Sequence, residues 1–308
     1  MAFLDKPAEG GRGLGGQGGK MGHRVPSSDF RGSRWVLDPD DFAIGPEGPD
    51  PPPSDLVAES IWSGIVDAPT DAGIRTSDHH GSQLRLQHEL WGGLFDIAEQ
   101  LQQGPLYDAV LDAADEVQAA TFESLHGYYR PALSSLRTAM DVLLTGLCCE
   151  LAPTRPEVAK YLAAPESFEI SFGMACDLAV KASIVTSLEG ELKAAVGDTF
   201  FSQKGMTPGE GWVRRLYGML SKYSHSRSGR TSVSIWNSNG PVYVPSAFDR
   251  ITLLFVEVVA MMCLLVKLGR SAFQLPIYFA DNVFTSPQIR PPAVVNEARR
   301  LLWSRDLQ

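Results

Sequence analysis

Along the chain from Ser54, apolar residues recur every three or four positions, the spacing that puts them on one face of an α-helix. Leu84, Trp91, Leu94, Phe95, Ala98 and Leu101 make one such stripe, which Gly104-Pro105 ends while supplying a proline to open the next helix. Leu106, Val110, Leu111, Ala114, Val117 and Phe122 continue it to about Gly127. Pro131 opens a third helix, with Leu133, Leu136, Met140, Leu143, Leu144 and Leu147 on one face. Pro153 and Pro156 close that helix and start a short one through Leu162, and two more are predicted over 174–184 and 188–200. Beyond a loop at 205–210, Trp212, Val213, Leu216, Tyr217, Leu220 and Tyr223 mark another amphipathic helix. A long apolar helix over 246–270 and a terminal one over 293–303 complete the series.

One stretch breaks the helical period. Residues 231–236 alternate and are rich in β-formers, Asn237-Ser238-Asn239-Gly240 is a turn cluster, and Val242-Tyr243-Val244 returns. This pattern predicts a β-hairpin over 231–244, with Asn239-Gly240 at the positive-φ positions. The expected fold class is therefore all-α: one helical domain over 54–308 carrying an inserted hairpin.

Residues 1–53 read differently. Eleven of the 29 glycines lie between Gly10 and Gly48, and Pro51, Pro52 and Pro53 close the stretch. So little apolar surface cannot offset the entropy of ordering the chain, and a disordered arm is expected. Its first half carries Lys6, Arg12, Lys20, Arg24, Arg31 and Arg34; from Asp38 to Glu59 every charge is acidic. Gly13-Leu14-Gly15-Gly16-Gln17-Gly18 matches a dinucleotide fingerprint in letters only, because no strand precedes it and no helix follows.

Composition narrows the function classes. The 308 residues carry a formal net charge of -9, so a global basic field that draws proteins onto nucleic acid is absent, although a local basic patch is allowed. The run over 251–269 is near the length of a membrane span, but Glu257 sits in its middle. A mid-membrane charge costs roughly 2.5–3.5 kcal/mol on the lenient insertion scale, which favours a buried core helix. With no apolar leader at the N-terminus, a cytoplasmic protein with no membrane partner is expected. Cys148, Cys149, Cys176 and Cys263 stand in apolar surroundings and read as reduced core thiols. His79, His80 and His88 lack zinc-ligand spacing, and Asp78-His79-His80-Gly81 reads as a polar turn before a helix; neither metal nor cofactor is expected.

Two positions carry candidate chemistry. Arg137 lies on the seam of an apolar face with Asp141 one turn on, either as an edge-of-core ion pair or as a guanidinium held to bind phosphate. His225 ends a helix whose one face runs Arg214, Gly218, Ser221, His225, with Arg227 and Arg230 just beyond. That face reads either as a capping histidine in a solvated loop or as a local basic site where small residues let another backbone approach.

The segments Leu136-Arg137-x-x-x-Asp141 and Leu216-Tyr217-x-x-Leu220-Ser221-x-Tyr223-Ser224-His225 resemble the HEPN superfamily, in particular its bacterial branches with short Leu-Arg and Leu-Ser…His signatures. The resemblance covers roughly 84–269. It implies a helical bundle, commonly dimeric, of a group rich in metal-independent ribonucleases of toxin–antitoxin, abortive-infection and CRISPR systems. Its Arg-x4–6-His signature is not reproduced, because positions 218, 219 and 220 are Gly218, Met219 and Leu220. Arg214 stands eleven residues, about 16 Å of helix, before His225. A dyad would therefore need Arg137 from another helix.

The resemblance thus implies catalytic roles for His225 and Arg137, support from Asp141, Tyr217 and Ser221, and RNA contacts from Arg214, Arg227 and Arg230. The implied partners are RNA, a second copy of the chain, and an antitoxin or regulatory protein. The competing reading is a catalytically silent helical interaction module. Because residues 1–53 contain no periodic apolar stripe, a chain beginning at Ser54 is expected to keep a cooperative thermal transition, checked by differential scanning calorimetry.

Overall fold

The computed structural model describes residues 59–201, 211–224, 240–286 and 289–304. A short helix α1 (Glu59–Trp62) and one π-helical turn lead into α2 (Ala68–Leu101), a 34-residue helix. Then come α3 (Pro105–Leu125), α4 (Tyr129–Leu151), α5 (Pro156–Ala163), α6 (Phe172–Ala179) and α7 (Ser183–Val196). The series ends with α8 (Trp212–Ser224), α9 (Pro245–Gly269), α10 (Ile277–Phe279) and α11 (Ala293–Ser304). No strand occurs among the described residues, so the chain is all-α there. Residues 231–239 of the expected hairpin lie outside the described residues, and 241–244 have no regular secondary structure.

Local chemistry sets the helix ends. Gly104 takes φ +106° and Pro105 occupies the first turn of α3, which lets α3 fold back along α2. Ser171 caps α6 by accepting the Met174 amide at 3.4 Å, and Gly197 ends α7 in the left-handed region. The expected helices over 174–184 and 188–200 are each displaced toward the N-terminus. The break falls at 180–182, and the apolar pair Phe200-Phe201 lies beyond α7, its amides bound by the buried Glu189 carboxylate at 2.9 and 2.6 Å.

The Asp78–Gly81 segment also departs from expectation. It forms no turn before a helix but lies inside α2, at a kink where His80 has φ −128° and ψ 25°. The buried His80 ring holds that kink through hydrogen bonds with Gln83 Oε1 at 2.5 Å and Tyr243 Oη at 3.1 Å, with Asp249 Oδ1 3.4 Å away. Polar side chains one turn apart looked like solvated turn residues because their partners are some 165 positions away in sequence.

α9 is the centre. From Ile251 to Leu268 only Leu253 and Glu257 escape full burial, and α2, α3, α4, α8 and α11 all touch it. α4 and α9 are both long and apolar enough to cross a membrane, yet 61% and 89% of their most apolar windows are buried within the bundle, so α9 is its core helix. Lys267 is buried at the C-terminal end of α9, donating to the carbonyls of Ser271 and, at 3.0 Å, Phe273, with its ammonium 5.3 Å over the Trp303 ring. A cation is favoured there by the unpaired helix carbonyls.

α3 and α4 form the closest helix pair, through small residues: Ala109, Ala113 and Gly146 are all buried. A Cβ added at Gly146 would lie 2.3 Å from Ala109 Cβ and 3.0 Å from the Pro105 carbonyl oxygen. Overpacking of this kind costs about 1–3 kcal/mol, more than the ~1 kcal/mol that alanine gains over glycine in helix propensity. Gly146→Ala is therefore expected to lower the urea midpoint, by about 1–2 kcal/mol of stability, without changing helix content by circular dichroism.

Candidate functional site

α4 presents apolar residues along almost its whole inner face, and Arg137 is the cation on that seam. α8 lies against α4 and α6 packs beside both, so Arg137 meets Tyr217 of α8 rather than solvent alone. An Arg137 Nη2–H donates to Tyr217 Oη at 2.6 Å, and the Tyr217 hydroxyl donates to Asp141 Oδ2 at 3.1 Å. The direct Arg137–Asp141 separation is 3.9 Å. The expected one-turn ion pair exists, but the phenol of Tyr217 completes it. The Tyr217 ring is held by two further contacts: Phe172 stacks on it at 3.6 Å with an 8° interplanar angle, and the Arg137 guanidinium lies 4.9 Å from its centroid.

Three helices are thus joined at one tyrosine ring. Arg137 remains 28% exposed, and its Nε is buried without a hydrogen-bond partner among the described residues. Ser221, one turn beyond Tyr217 on α8, also has a buried hydroxyl without such a partner. A Cβ built at Gly218 would meet nothing within 4 Å among the described residues, so this part of α8 has open space beside it there. The structure thus brings Arg137, Asp141 and Tyr217 together, with Ser221 next along the helix. His225, Arg227 and Arg230 lie outside the described residues.

Arg214 is engaged elsewhere. Its Nη2–H donates to Asp177 Oδ1 at 2.6 Å and its Nε–H to the Phe201 carbonyl at 2.9 Å. Sequence spacing had placed it on a free basic face. Its acidic partner on α6 is 37 positions upstream and left no local signal. Arg215 is likewise paired, in a two-pronged contact with Asp198 at 3.0 and 2.5 Å.

Asp141 also lines a groove of about 520 Å³ between α3, α4 and the segment around α5. Asp108, Asp112 and Glu169 line it too, and among the described residues no lysine or arginine does. Sequence reasoning missed these acids, because on α3 they read as the solvated face of an amphipathic helix. Burial first, then Asp108 and Asp115, hold the Asp112 carboxyl above its ordinary pKa. Asp141 is raised too: burial and the Glu169 charge outweigh the opposing effects of the Tyr217 hydroxyl and Arg137.

The remaining candidates are inert. Burial pushes the thiols of Cys148 and Cys176 up to about 12 and that of Cys149 to about 11, so none is a thiolate nucleophile at neutral pH. Among the described residues no group of three or more His, Cys, Asp or Glu is placed to hold a metal ion. Glu257 is half-buried, as its place in α9 suggested. Its neighbours are Arg250 on the same helix and the indole of Trp212 on α8.

Compared with family models, curated proteins and solved structures, the chain has no match in any of the three.

The raised Asp141 pKa has a testable sign. A carboxyl that binds its proton more tightly folded than unfolded makes stability fall as pH rises from its unfolded value, 3.8, through its folded one. Asp141→Asn removes that titration and is expected to flatten the pH dependence of stability over that window. Urea unfolding of both proteins at a series of pH values between 3.5 and about 7 measures it.

Proposed function

We propose that the chain is a HEPN-like, RNA-binding protein of ribonuclease type, a cytoplasmic effector of a bacterial defence or toxin–antitoxin system that works as a homodimer. The observation that carries this reading is the state of Arg137. Its guanidinium is oriented by Tyr217 and Asp141 and remains partly exposed. A planar cation held in that way is suited to grip a phosphate through its free edge.

In this mechanism no metal takes part. His225 accepts the ribose 2′-hydroxyl proton as that oxygen attacks the phosphorus, and returns a proton to the departing 5′-oxygen, leaving a cyclic phosphate. Arg137 stabilises the charge that builds on the phosphate oxygens. Ser221, its hydroxyl buried one turn beyond Tyr217, supports the wall, and the open face at Gly218 lets the RNA backbone approach. Arg227 and Arg230 extend the contact, while Arg214, tied to Asp177, shapes the wall.

A second reading is favoured by a specific observation. Among the described residues the groove beside Asp141 is lined by four carboxyls and no base, which suits a basic segment of a partner protein better than a nucleic acid. In that reading the chain is a catalytically silent interaction module for an antitoxin or regulatory partner.

Incubation of the purified protein with total RNA in EDTA separates the two. Cleavage is expected, and His225→Ala should reduce it about 10²–10⁴-fold with little change in Tm. Arg137→Ala should lose cleavage and also lower the Tm, because the Tyr217 hydroxyl loses its donor and the half-buried Asp141 its counter-charge. An intact RNA ladder at stoichiometric protein would leave the interaction module standing.

A further inference from the structure

A cavity of about 160 Å³ lies where the first residue of α8, the middle of α9, the segment 289–292 and the start of α11 meet. Its apolar walls include Val256, Ala260, Val283 and Val295, all buried. Three polar side chains line it as well: Trp212, Glu257 and Arg290. Glu257 is half-buried, with the Trp212 indole as a hydrogen-bond donor and Arg250, two turns earlier on α9, as a further attractive charge. Burial still prevails over both and holds the carboxyl above its ordinary pKa. Arg250 does not line the cavity; its Nη2 is directed to Met219 Sδ at 3.3 Å. Arg290 is exposed, and neither it nor Glu257 forms an ion pair with a described residue.

An acid and a base thus share one cavity without pairing, beside an aliphatic compartment. A carboxylate accepts at two oxygens, so a single indole N–H leaves lone pairs of Glu257 for a cation. A guanidinium such as that of Arg290 suits a carboxylate, which it can grip through two donors at once. Each simple ligand meets only one of these demands. A carboxylate suits Arg290 but brings like charge to Glu257. An amine suits Glu257 but brings like charge to Arg290. A neutral molecule leaves the half-buried carboxylate without a counter-charge. An ammonium and a carboxylate carried on one carbon meet both demands, and leave that carbon's third substituent to enter the aliphatic compartment. A cavity of about 150 Å³ accommodates a benzene ring, so 160 Å³ accommodates a side chain of three or four carbons.

We propose that this cavity is a binding site for a free α-amino acid with a branched aliphatic side chain. Its ammonium pairs with the Glu257 carboxylate, its carboxylate with the Arg290 guanidinium, and its side chain packs against Val256, Ala260, Val283 and Val295. The site shares no residue with the Arg137 seam and does not rest on the function proposed there.

Isothermal titration calorimetry of the full-length protein tests this with L-leucine and L-valine. Three further probes each lack one part: isoamylamine the carboxylate, 4-methylpentanoate the ammonium, and glycine the side chain. L-leucine or L-valine should bind with a Kd of about 1 mM or tighter, and each truncated probe about tenfold more weakly. Arg290→Gln alters an exposed side chain and keeps the fold; it should weaken L-leucine about tenfold while leaving isoamylamine no weaker. Glu257→Gln should weaken L-leucine by a similar factor and strengthen 4-methylpentanoate, because the like charge is gone. If Glu257→Gln does not fold, Arg290→Gln carries the test alone. Saturable binding of neither amino acid up to about 10 mM would overturn the proposal. So would equal affinity for L-leucine and isoamylamine, or an L-leucine affinity unchanged by Arg290→Gln.

Discussion

The bundle depends on enclosing α9, whose apolar side chains point in every direction around the helix axis. Fully burying one such side chain contributes about 1.5–3 kcal/mol, so leaving a flank of α9 open would forfeit much of the stability of a domain this size. The surrounding helices are therefore placed by the need to cover it. Where α9 carries a polar group, a partner must come from another element. Thr252 receives the buried Gln87 amide at 2.9 Å, and Lys267 is held by carbonyls just beyond the helix end. Glu257 has Arg250 of its own helix and the Trp212 indole of α8 as neighbours, and it lines a cavity beside them.

The same rule governs the seam between α4, α6 and α8. Arg137 could not remain half-buried without acceptors, and Asp141 at 3.9 Å is too distant to satisfy it alone. Tyr217 closes the gap because its hydroxyl both accepts and donates, while its ring fills the space against Phe172. An ion pair of one helix thereby becomes a three-helix lock. Removing Tyr217 would break both hydrogen bonds at once, which makes the cluster more sensitive to substitution there than either single bond suggests.

The helices, their order and the central place of the long apolar run were legible from periodicity and from Gly and Pro punctuation. Gly104-Pro105 and Pro156 mark helix starts that follow from local geometry alone. What was not legible depends on distant partners. His79-His80 look like turn residues until Tyr243 and Asp249 are brought to them, and Arg214 looks free until Asp177 reaches it. The Arg137–Asp141 pair could be read from its one-turn spacing, and Tyr217 from its share of the α8 motif. The acidic groove could not, because carboxyls on exposed faces of α3 and near α5 carry no mark of meeting across a gap.

Asp141 belongs to both features on which the functional readings rest. One oxygen accepts the Tyr217 hydroxyl in the seam, and the carboxyl also lines the groove beside Asp112 and Glu169. Its charge is held back by burial and by the neighbouring acid, so it responds to whatever occupies the groove. A cation settling there would favour the carboxylate and strengthen its grip on Tyr217, and through Tyr217 on Arg137. Another negative charge entering the groove would favour the protonated form and loosen that grip. By linkage, an anion gripped by Arg137 would reciprocally change the affinity of the groove for a basic partner. The phosphate-binding and partner-binding readings therefore meet at one carboxyl, and an occupant of either side is felt on the other.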